Sequence, residues 1–141
     1  MVKNKKVTHG LCSSETFLSL GGEYVKRDLK TNNDYSMRRF VALFGCTPCI
    51  CSIIFKMMVE HGVAPVSFLA THLLMGLLFL KVYSTEVVHA GMAGVTEKTF
   101  RKHSWIAIKT IADLYFSTVS FQKKFKLSFK IILLFLNLTL Y

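Results

Sequence analysis

Acidic residues are scarce in this 141-residue chain: eight Asp and Glu stand against 18 Lys and Arg, a formal net charge of +10. The last acid is Asp113, and the 28 positions after it hold none. That shortage excludes a carboxylate-rich metal centre in the final fifth of the sequence, because hard divalent cations need several carboxylate oxygens. Proline occurs only twice, at positions 48 and 65, so long helices are permitted. No run of about 20 uninterrupted apolar residues exists, which argues against a spanning helix. Phe68 to Tyr83 comes nearest, but His72 breaks it and Lys81 closes it, so it reads as a buried core helix. A secretory leader is not legible either, since the basic start Met1–Lys6 runs into a polar stretch from Thr8 to Glu15.

The four cysteines, Cys12, Cys46, Cys49 and Cys51, include three within six residues, a spacing unlike a disulfide framework. Cys46-x-x-Cys49 has no second Cys/His pair downstream to complete a zinc site, so small buried residues near a helix start are the expectation. The histidines are scattered, with no carboxylate or cysteine partner at ligand spacing, and read as surface or internally satisfied rings. Met57, Met58, Met75 and Met92 read as core filler. Neither a cofactor nor a metal is expected.

What is present is 52% hydrophobic, enough for one all-α domain. The reading is a small helical bundle over residues 37–114, preceded by a flexible arm over 1–36 and followed by an ill-defined basic and apolar tail over 115–141. The arm is interrupted by Gly21-Gly22 and by the polar Thr31–Asp34, and carries a short helical piece around Phe17 to Lys30. Thr47 as N-cap with Pro48 at the first helical position starts a helix whose Ile50, Ile53, Ile54, Met57 and Met58 recur at helical spacing until Gly62. A further helix is expected over about Ser67 to Tyr83. The tail carries Lys123, Lys124, Lys126 and Lys130, then an apolar run to Tyr141, a pattern open to an interfacial helix or a strand. It reads as coding sequence foreign to the domain before it.

The most informative stretch is Ser84 to Lys109. Ala90 and Gly94 stand four apart, followed by Val95, Thr96 and Phe100, the spacing of a helix-turn-helix. Gly94 supplies the turn, Thr96 caps the second helix, Glu97 complements its dipole, and Phe100 turns inward. Trp105, Ile108, Ile111, Ala112 and Leu114 would continue the inward face. Lys98, Thr99, Arg101 and Lys102 would then project outward from the part of the helix that such motifs lay in a major groove, with Lys109 further along on phosphate. Arg38 and Arg39, at the junction of arm and bundle, read as tethered solvated charge with a minor-groove contact as the alternative. The candidate DNA-binding set is Thr96, Lys98, Thr99, Arg101, Lys102 and Lys109.

Three blocks carry a family resemblance: Phe44-Gly45 with Thr47-Pro48 and Phe55; His72-Leu73-Leu74 with Leu77-Leu78-Phe79-Leu80-Lys81 and Tyr83; and Gly94-Val95-Thr96 with Lys98-Thr99-Phe100-Arg101-Lys102, Trp105 and Ile111-Ala112-Asp113-Leu114. Together they resemble the N-terminal region of DDE-superfamily transposases of the Harbinger and insertion-sequence type, from about Arg39 to Leu114. His103 stands where that pattern usually has tryptophan. The resemblance implies a helical DNA-binding segment ahead of an RNase-H-like domain, duplex transposon ends as partner, possible self-association, and nuclear location. The family's chemistry uses three carboxylates on two metals. The scattered acids here do not supply them, so the expectation is a transposase remnant that is not an enzyme. A small basic membrane-associated protein and an inactive product of a decayed element are the alternatives.

Overall fold

The computed structural model describes residues 12–25 and 34–121, and among these it is all-helical, with six helices and no strand. They are α1 (Ser14–Val25), α2 (Asp34–Phe44), α3 (Pro48–Glu60), α4 (Ala70–Lys81), α5 (Glu86–Ala93) and α6 (Glu97–Phe121). The expected all-α bundle is therefore the observed class. Its capping chemistry is local. Ser13 Oγ accepts from the Thr16 amide at the head of α1, and Thr47 Oγ1 accepts from the Ile50 amide at the head of α3, where Pro48 needs no partner. α3 ends before Gly62 as its sequence predicts, whereas α4 is shorter than expected at both ends.

α1 differs from the arm expected over residues 1–36. Its Phe17 and Leu18 are buried in the common core, and the Tyr24 hydroxyl donates to the Thr71 carbonyl of α4 at 3.3 Å. Gly21 lies in this packed face, where an added Cβ would meet the Phe40 ring at 2.5 Å. Edge-on ring contacts join Phe17 to Phe55 and Tyr24 to Phe44, tying α1 to α3 and α2. Arg38 and Arg39 sit within α2 rather than on a tether, and the Arg39 guanidinium lies 4.6 Å over the Tyr35 ring. The boundary placed at residue 114 falls inside α6, which runs to Phe121. The remainder of the tail lies outside the described residues.

α4 is the centre. Leu73, Leu74, Met75, Leu77 and Leu78 are all buried, which accounts for an apolar character on every side of the helix. α6 crosses it closely at Gly76, where an added Cβ would stand 2.6 Å from the Ala107 Cβ. The buried face of α6 is Phe100, Ser104, Ala107, Thr110, Leu114 and Thr118. The hydroxyls of Ser104, Thr110 and Thr118 donate to the Phe100, Ile106 and Leu114 carbonyls one turn back, so none is left unsatisfied in the interior. Trp105 and Ala112, expected on this face, are exposed instead. Opposite Gly76 the inner positions of α6 are the small Ser104 and Ala107, because the close approach of the two helices there leaves no room for an indole.

No single helix among the described residues is long and apolar enough to cross a membrane.

Candidate nucleic-acid interface

The α5–α6 corner is built from its backbone outward. Gly94 adopts φ +67°, the left-handed region that an L side chain rarely occupies. With that turn made, the Val95 amide returns to the Ala90 carbonyl at 3.0 Å and the Gly94 amide to Gly91, closing the end of α5. Thr96 then opens α6: its Oγ1 accepts from the Thr99 amide at 3.3 Å and lies 2.9 Å from the Thr99 hydroxyl. Phe100 is fully buried beneath the corner. His89, also buried, packs between Phe79 and Phe100 and donates from Nε2 to the Val82 carbonyl at 3.0 Å. His89 Nδ1 is left buried without a partner.

The six candidate residues divide into two groups. Thr96 and Thr99 are occupied in the cap. Arg101, expected to project free, bonds the Glu86 carboxylate of α5 through Nε at 2.7 Å and through Nη2 as well. That bond holds the Glu86 carboxyl below its ordinary range and raises the arginine above its own. Arg101 is thus a clasp between the two helices of the corner, a role hidden from the sequence because its partner lies across the turn. Lys98, Lys102 and Lys109 are exposed. At 3.6 residues per turn, positions 98, 102, 105 and 109 fall within about 60° of arc, so the three lysines share one outer face with Trp105. Glu97 and Asp113 are exposed on the same helix.

Two features carried no sequence signal. His72 and His103 stack with ring centroids 3.8 Å apart and planes 8° from parallel, joining the first turn of α4 to α6. His72 Nδ1 accepts from the Leu69 amide at 3.1 Å and so caps α4. Burial first, and the neighbouring His103 second, push the His72 ring down to about 4; burial likewise lowers His103, whose own Nδ1 is buried and unpaired. The second feature concerns the cysteines. Cys46 lies against Cys51, Sγ to Sγ 3.4 Å, rather than serving a Cys46/Cys49 pair, and Cys49 is exposed. The Cys46 contact and burial both raise the Cys51 thiol, keeping it protonated. Among the described residues, no three His, Cys, Asp or Glu side chains converge on a point where a metal ion could sit.

Compared with known proteins, the chain matches no family model, no curated protein and no solved structure.

Proposed function

We propose that the α5–α6 corner binds duplex DNA through the outer face of α6, as the resemblance to transposase N-terminal regions implies. The observation that supports it is the division of labour at the corner. Thr96 and Thr99 are engaged in the cap of α6 and Arg101 ties α6 to Glu86 of α5, while Lys98, Lys102 and Lys109 line one exposed face of α6, the longest helix among the described residues. A formal charge of +10 adds a general attraction to polyanions. Lys98 and Lys102, in the first two turns, would approach bases or the flanking phosphates, and Lys109 the backbone. The proposal is for binding alone, with the DNA of transposon ends as the natural first ligand and the nucleus as the place of action.

The test is a salt titration of full-length protein on labelled duplex DNA. Three phosphate-neutralising lysines give a slope of log K against log salt of about −2.7. Lys98→Ala with Lys102→Ala should flatten it to about −0.9 and weaken binding in proportion. Should the double variant stay helical and bind with the parental affinity and slope, α6 is not the DNA-contacting element.

A further inference from the structure

Tryptophan occurs once in this chain, at position 105. A helix that packs along α4 could have carried any polar residue there, yet 56% of this residue's surface is open to solvent. Its bundle-side neighbour is Phe79 of α4, whose ring meets the indole at 6.0 Å, tilted by 50°. Along the helix it stands one turn from Lys102 on one side and one turn from Lys109 on the other, with Lys98 a further turn out. The indole is therefore braced from below and flanked by ammonium groups along its own face.

A large aromatic surface set between cations has two obvious uses, self-association and stacking on a base. Charge separates them. A second copy docking through this face would bring its own three lysines into the same contact, where like charges oppose each other. A nucleic-acid strand brings phosphates to the lysines and a π-face to the indole. In a continuous duplex every base is already stacked on its neighbours and offers only its edges to a groove. A tryptophan face is satisfied only by a base with a free side, as at a strand end, an overhang or a junction.

We propose that Trp105 is a stacking platform for an unpaired base, so that the outer face of α6 fits a duplex carrying a single-stranded extension better than a continuous duplex. This rests on the reading of α6 as the DNA-binding face and specifies which DNA that face selects. Lys98 and Lys102 hold the duplex backbone, Lys109 holds the phosphates of the extension, and the indole takes the first unpaired base between them.

Because the chain has a single tryptophan, its fluorescence reports on this site alone. The full-length protein is titrated with a blunt duplex and with the same duplex bearing a short overhang. DNA anisotropy and tryptophan emission are followed together. The overhung DNA should bind at least about fivefold tighter and quench the emission. Trp105→Leu should abolish the preference, while Trp105→Phe, which keeps a ring on Phe79, should retain most of it. Salt-sensitive binding that is equal for both DNAs, or that leaves the emission unchanged, overturns the stacking role and leaves DNA binding intact. Absence of binding to either DNA overturns both.

Discussion

His72 and His103 contribute most to the fold while both rings are uncharged. Stacking at 3.8 Å tolerates one proton poorly, and the Leu69 amide needs the lone pair of His72 Nδ1. Lys102, beside His103 on α6, adds to the cost of a second positive charge. His72 titrates at about 4 in the folded chain against an ordinary 6.5, so the unfolded chain takes up its proton first as the solution is acidified. The sign follows: the contribution is complete above about pH 6.5 and is lost as pH falls towards about 4. Since nearly half of the ring is solvent-screened, the loss is about 1–2 kcal/mol rather than the full value of the shift. Urea midpoints measured from pH 7 down to pH 4.5 should show the decline. His103→Phe, which keeps a stacked ring and removes one titrating group, should make it shallower. This pair was not legible in the sequence, because neither histidine has a local partner and only the packing of α4 on α6 brings them together. The Arg101–Glu86 clasp escaped notice for the same reason. Thr96 and Gly94 were legible because capping and turn chemistry act within a few residues of where they are written.

At the level of the helix, local signals and tertiary ones part company. α3 could be read from Thr47 to Gly62, since its cap, its proline and its apolar spacing are all internal to the segment. α6 was found from its own start signals, yet its inner and outer faces could not be assigned by side-chain size. Trp105 reads as core by hydrophobicity, but the inner surface is set by what α4 presents, and α4 presents Gly76. Ser104, Ala107 and Thr110 fit there because each is small and each hydroxyl bonds to its own helix. Gly76→Ala should therefore be destabilising despite the better helix propensity of alanine. Its Cβ would stand 2.6 Å from that of Ala107, so the two backbones must separate. The expected loss is about 1–3 kcal/mol by urea denaturation. Gly91→Ala, at a position with open space around it, should be neutral or slightly stabilising and serves as the comparison.

The molecule as a whole is more integrated than a bundle with an appended arm. Gly21-Gly22 marks a break in sequence terms, but in the structure Gly21 is the point where α1 comes down onto the Phe40 ring. Phe17 and Leu18 reach the same core as α3 and α4, and the His61 ring of the α3 C-cap lies 3.0 Å from the Ser117 hydroxyl in the last turns of α6. A fragment confined to residues 37–114 would discard α1 and sever α6 before that contact. Losing the burial of Phe17 and Leu18 alone should cost about 3–6 kcal/mol. The fragment should accordingly unfold at a much lower urea concentration than the full chain, and an equal midpoint would show that α1 is dispensable.

The close crossing at Gly76 also has a consequence in time. Synthesis proceeds from the N-terminus at about 5–20 residues per second, and Gly76 precedes its partner Ala107 far enough in the chain to leave the ribosome about 1.5–6 seconds earlier. During that interval the flank around Gly76, with Leu73 and Leu77 beside it, has no cover from its own chain. The nascent polypeptide is most vulnerable to sticking there, and faster delivery of residues 94–118 would shorten the exposure.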